Sequence, residues 1–134
     1  GLLSNIDAII CNGFNTCQNG NINATCNVDT GCDILCQGGS FACDNATITS
    51  TDVNNILCNG LGSVCQETVM NITPFDNSFQ ISITGIASAR NAIFNTQILK
   101  NDITNIQGIS CTLTSRPEVG VCVNTIFNID AGTL

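Results

Sequence analysis

Ile10-Cys11-Asn12-Gly13-Phe14-Asn15-Thr16-Cys17 returns downstream as Leu35-Cys36-Gln37-Gly38-Gly39-Ser40-Phe41-Ala42-Cys43. It returns again as Leu57-Cys58-Asn59-Gly60-Leu61-Gly62-Ser63-Val64-Cys65. Each copy reads aliphatic-Cys-polar-Gly, a short turn, then a second Cys. About five residues after that Cys an apolar residue stands beside Thr or Asn: Ile22, Ile48 and Met70. The copies start 25 and 22 residues apart. A period of this length marks stacked structural units rather than a catalytic globule.

The composition agrees with stacked strands. Trp and Tyr are absent and only 4% of residues are aromatic, so the core of this 134-residue chain must be aliphatic. Ile, Val and Thr dominate, and branching at Cβ suits a pleated surface. Phe79-Gln80-Ile81-Ser82-Ile83-Thr84 alternates apolar and polar, as a strand with one wet face does. Further strands are expected at Ala92–Asn95, Ile103–Ile109, Cys111–Thr114, Val119–Val123 and Thr125–Ile129. The expected class is all-β: a parallel β-helix, or β-solenoid, with its coils about 4.8 Å apart. Residues 1–8 read as an entry strand and 9–73 as Cys-rich coils. Residues 74–134 either continue the helix or close it with a β-sheet cap.

Stacking predicts columns of equivalent residues. Ile10, Leu35 and Leu57 are expected to form one column inside the stack, and Ile22, Ile48 and Met70 another. Asn12, Gln37 and Asn59 are expected to form a polar ladder. Tight turns are placed at Gly13, Gly38 and Gly60, where positive φ favours glycine.

Ten Cys and no His argue for disulfides over metal. No paired C-x2-C knuckles occur, and an even cysteine count implies an oxidising compartment. The spacings favour local bridges, Cys11–Cys17, Cys26–Cys32, Cys36–Cys43, Cys58–Cys65 and Cys111–Cys122. Bridges between successive coils, such as Cys17 to Cys36, remain the alternative at this level. No metal site and no cofactor are expected. A D-x-D-x-D calcium loop is missing, and Asp29, Asp33, Asp44 and Asp52 read as turn-capping residues.

The net charge of −7 is lopsided: Asp7, Asp29, Asp33, Asp44, Asp52, Glu67 and Asp76 all precede the first cation, Arg90. Such a face repels phosphate, so neither nucleic acid nor an anionic membrane is an expected partner. No run of about 18 apolar residues is present, so no membrane span is expected. About one residue in seven is Asn. Three N-glycosylation sequons, at Asn23, Asn45 and Asn71, fall after the second Cys of their repeats, in what reads as one equivalent segment. Gly1-Leu2-Leu3 reads as a processed N-terminus or an excerpt of a longer chain.

The phrase from Ile10-Cys11-Asn12-Gly13 through Cys17, Cys26, Cys32 and Cys36-Gln37-Gly38 to Cys43-Asp44-Asn45-Ala46-Thr47-Ile48 resembles Cys-rich repeats in secreted and surface proteins of eukaryotic microbes. The resemblance spans residues 9–73. It implies a parallel β-helix whose turns are stapled by disulfides, and it is nearly silent on activity.

Without His, Ser-His-Asp and Cys-His catalysis are excluded. The function expected is a non-enzymatic structural subunit of an extracellular or cell-surface fibre, sheath or coat. It would carry N-glycans and self-associate into a polymer through terminal β-strands, whose backbone groups would otherwise lack partners. The alternative is an adhesin or carbohydrate-binding module, disfavoured by the lack of Trp and Tyr for sugar stacking. Ice binding is disfavoured because Thr47-Ile48-Thr49 has no Thr-x-Thr counterpart in the neighbouring coils. A polysaccharide lyase or hydrolase using paired carboxylates is the weakest reading. Phe14, Phe41 and Leu61, between the paired cysteines, are expected to pack under the turn.

Overall fold

The computed structural model describes residues 2–60, 62–85, 88–98, 108–113 and 122–130. Among these the regular elements are ten strands: β1 (Leu2–Ile6), β2 (Ala8–Gly13), β3 (Asn21–Cys26), β4 (Cys32–Gly38), β5 (Thr47–Gly60), β6 (Val69–Pro74), β7 (Gln80–Gly85), β8 (Ile93–Gln97), β9 (Gly108–Leu113) and β10 (Ile126–Asp130). Every strand pair is parallel, and the pairs build two stacks. Stack A runs β1, β3, the first half of β5, β6, β8, β10. Stack B runs β2, β4, the second half of β5, β7, β9. The chain is therefore a parallel β-solenoid. Coils 1 to 4 are nearly complete among the described residues. Residues 99–107 and 114–121 lie outside them.

The side chains in stack B alternate strictly. Cys11, Cys36, Cys58 and Ile83 face inward, and so do Ile9, Ile34, Ile56 and Ile81; all eight are buried. Each fully buried Ile contributes roughly 1.5–3 kcal/mol. The expected column Ile10–Leu35–Leu57 does form, but it faces outward, and Ile10 is 59% exposed. The reason is period-two alternation. A cysteine that reaches the turn from inside sends the residue before it to the solvent face and the residue two before it into the core. In stack A the inward column Ile22–Ile48–Met70–Phe94–Phe127 is as expected for its first three members. The Phe94 and Phe127 rings stack with centroids 5.2 Å apart.

A third stack, made of turns at residues 14–19, 40–45, 62–67, 88–91 and 122–125, closes each coil. Backbone hydrogen bonds link these turns as in a parallel ladder. The Asn15 N–H donates to the Ser40 carbonyl (3.0 Å), the Cys43 N–H to Thr16 (2.9 Å) and the Asn19 N–H to Asp44 (2.9 Å). Equivalent bonds recur down the stack: Cys65 to Ala42, Ala89 to Val64 and Cys122 to Ser88. These turns alternate into the left-handed region: Cys17, Cys43, Cys65, Ala89 and Cys122 have φ between 54° and 59°. That conformation costs about 1–2 kcal/mol for most L-residues, and the inter-coil bonds and the staples offset it.

Each turn cysteine is bridged to the strand cysteine of its own coil: Cys11–Cys17, Cys36–Cys43, Cys58–Cys65 and Cys111–Cys122. Cys26–Cys32 pins the A–B corner of coil 2. No described cysteine is free. Coil 4 keeps the phrase in another alphabet. Ile83 stands in register with Cys58 and Cys111, and Ala89 takes the turn position of Cys65, so an Ile and an Ala occupy the places of a disulfide pair. Coil 4 is built from β6 and β7 and so straddles residue 73 without leaving the two stacks.

A second left-handed column lies two residues further on: Asn19, Asn45, Glu67, Asn91 and Asn124, with φ of 54° to 58°. Asn tolerates this region because its short amide bonds locally. Glu67 is the exception, and it is exposed. Replacing Glu67 with Asn is expected to stabilise the fold by about 0.5–1 kcal/mol, read as a higher urea midpoint at an unchanged slope. An unchanged or lowered midpoint would refute the conformational account of this column.

Of the other expected strands, Ile109 lies in β9 while residues 103–107 fall outside the described part. Cys122 and Val123 belong to the turn stack, while the rest of the strand expected at Val119–Val123 lies outside the described residues. Cys122 must adopt positive φ there to meet Cys111.

Candidate functional site

The outward face of stack A carries the most organised polar chemistry on the molecule. One column along it reads Asn23–Thr49–Asn71–Asn95–Asn128. Its amides bond coil to coil. Asn71 Nδ2 donates to Thr49 Oγ1 (3.5 Å), Asn95 Nδ2 to Asn71 Oδ1 (3.0 Å) and Asn128 Nδ2 to Asn95 Oδ1 (2.9 Å). The next outward column contains Thr25 and Thr51, then Thr73, and ends in Gln97 and Asp130. Between the two columns runs an elongated hollow of about 470 Å³ over four coils. Its floor is the strand at Ser50, Ile72 and Thr96, whose buried side chains point inward.

The three sequons do not occupy one equivalent place. Asn23 and Asn71 are both in register with Thr49. Asn45 lies four residues earlier in its coil, in the left-handed turn column, where its Nδ2 donates to Asn19 Oδ1 (2.9 Å). Spacing from the preceding Cys already separates them: Asn23 and Asn71 stand six residues after Cys17 and Cys65, whereas Asn45 stands only two after Cys43 and so is still in the turn. Asn23 and Asn45 are exposed and Asn71 is half-buried.

The polar ladder on stack B has its expected members, Asn12, Gln37 and Asn59, followed by Thr84 and Thr112. Phe14 is 66% exposed and meets Phe41 edge-on at 5.9 Å, so Phe14 sits over the turn rather than under it. Leu61 lies outside the described residues.

The four aspartates are spread around the coil. Asn27 forms an Asx turn over Asp29, its Oδ1 accepting from the Asp29 N–H, and Asp52 turns the corner of coil 3 with its N–H on Thr73 Oγ1. Asp33 accepts from Asn55 and Asp44 from Gln18. Among the described residues the one group close enough to share a metal is Cys11, Cys17 and Cys43. These sulfurs are near each other because successive staples stack, and all are oxidised. No described helix is long and apolar enough to cross a membrane.

Compared with protein-family models, curated proteins and solved structures, the chain matches none. Function therefore has to be argued from the solenoid and its surfaces alone. Sequence reading missed the Asn ladder at 71, 95 and 128. The signal is present in Asn71-Ile72-Thr73, Asn95-Thr96-Gln97 and Asn128-Ile129-Asp130, each following an inward Met or Phe. It surfaces once coils are aligned on their strands rather than on their cysteines.

Proposed function

We propose that this protein is a non-enzymatic structural subunit of an extracellular fibre, sheath or surface coat, of the kind carried by eukaryotic microbes. N-glycans at Asn23, Asn45 and Asn71 belong to the same reading. The observation that carries it is the parallel stacking of the coils, which a further copy can extend at the outermost described strands. Among the described strands, β1 and β2 at one end and β10 and β9 at the other each have a single neighbour. Strand edges with unpaired N–H and C=O groups recruit further strands. The second end is also apolar. Ile129 continues an inward column yet is 47% exposed, and Phe127 is only partly covered. A second copy placing its β1 on β10 and its β2 on β9 would continue both stacks in parallel. Disulfides in four of the first five coils suit an oxidising exterior.

The test is electron microscopy and sedimentation of non-reduced protein, native and Ile129→Lys. The expected result is regular filaments for the native chain and dispersed monomers for the variant, because a charge there opposes desolvation of the joint. Monodisperse native monomer at high concentration overturns the reading.

A further inference from the structure

The groove on the outer face of stack A has a property that self-assembly leaves unused. It runs along the solenoid axis and offers nearly the same polar chemistry at each coil, about every 4.8 Å. We propose that it binds an extended, neutral polysaccharide chain lying along the axis, one sugar per coil. This goes beyond the assembly reading and does not depend on it, and it requires Asn71 to carry no glycan.

Periodicity selects the ligand. A chain along the axis meets Thr49, then Asn71, Asn95 and Asn128 on one rim, so a polymer of matching repeat can make one bond per coil. An extended β-linked hexose chain advances by close to the coil spacing per sugar. An extended peptide advances about 3.3 Å per residue and drifts out of step within two coils. The rims also suit sugar hydroxyls. A carboxamide nitrogen carries two hydrogens, and the ladder takes one from each of Asn71, Asn95 and Asn128. The ladder fixes the amide planes in advance, which lowers the ordering cost of binding. Charge narrows the class further. Asp130 is the single charged residue of the lining, and the chain carries −7 overall, so uronate polymers are repelled and neutral ones are not. The hollow of about 470 Å³ lies along four successive coils, the length that four sugars at one per coil would need.

Asn71 stands on the rim, and an N-glycan there would occupy the same groove, so the test uses protein made without N-glycans. Calorimetric titrations with cellohexaose and chitohexaose are compared with polygalacturonate and with the corresponding disaccharides. At least one neutral hexamer is expected to bind, its disaccharide more weakly, and polygalacturonate not at all. Asn95→Leu removes one rung and breaks the ladder, and Thr49→Leu alters the exposed first rung with little risk to folding. Each is expected to weaken hexamer binding by about tenfold. The proposal is overturned if neither hexamer binds, if the disaccharide binds as tightly as the hexamer, if polygalacturonate binds equally well, or if folded Thr49→Leu binds like the native protein.

Discussion

Replacing both Cys58 and Cys65 with Ala is expected to lower the unfolding free energy by about 4 kcal/mol, within the range for native disulfides of small domains. Both cysteines are fully buried in the third coil, between the equally buried Cys36–Cys43 staple above and Ile83–Ala89 below. Two effects add. A crosslink closing an eight-residue loop restricts the unfolded chain by about 2.5 kcal/mol on the chain-entropy model. Removing two buried sulfurs also leaves space that a thin-walled coil fills poorly.

Coil 4 supplies a control of the protein's own design. It places Ile83 and Ala89 where the other coils have cysteines, and both are buried. Cys58→Ile with Cys65→Ala copies that solution and should retain the packing while losing the crosslink. Its expected cost is about 2.5 kcal/mol, read alongside the double-Ala variant in urea titrations under non-reducing conditions. Equal losses in the two variants would show that the staple acts through chain entropy alone.

Gly85→Ala is expected to cost about 3 kcal/mol or more, from backbone strain and overpacking together. Gly85 has φ of 120°, a region that L side chains rarely adopt. A Cβ there would overlap the carbonyl oxygen of Gly60 in the coil above, its register partner. The neighbour is backbone held in the ladder, so it cannot swing aside. Gly20→Ala is the contrast. Gly20 lacks positive φ and shares its turn position with Ala46, Thr68, Ala92 and Thr125, whose side chains are accommodated. Alanine there should stay within about 1 kcal/mol of the native chain. Thermal and urea midpoints of the two variants decide the matter, and a tolerated Gly85→Ala would refute the close-approach argument.

Much of the solenoid could be read before its coordinates. The repeat of Cys-polar-Gly marked stacked units. The strand at Phe79–Thr84 announced itself by alternation, with β7 found at Gln80–Gly85. Column membership was legible because equivalent residues of adjacent coils sit side by side. Facing was not. Ile10, Leu35 and Leu57 are as hydrophobic as Ile9, Ile34 and Ile56, and hydrophobicity alone assigns both sets to the core. The staple geometry breaks the tie by drawing Cys11, Cys36 and Cys58 inward.

Coil 4 shows the same limit from the other side. Ile83-Thr84-Gly85 ends in Ala89 without a cysteine, so a search anchored on Cys stops one coil early. The sequons were legible by counting: Asn23 and Asn71 stand six residues after Cys17 and Cys65, whereas Asn45 stands two after Cys43 and falls in the turn stack.

By itself the sequence determined the class of the fold, the strand-forming segments and the oxidising chemistry, because periodicity, β-branching and cysteine number are local properties of the chain. The tertiary structure decided which face each column takes and which backbone positions enter left-handed φ. It also decided how the amides of Asn71, Asn95 and Asn128 line up along a groove. These depend on inter-coil register, which is set by hydrogen bonds between residues more than twenty positions apart in the chain.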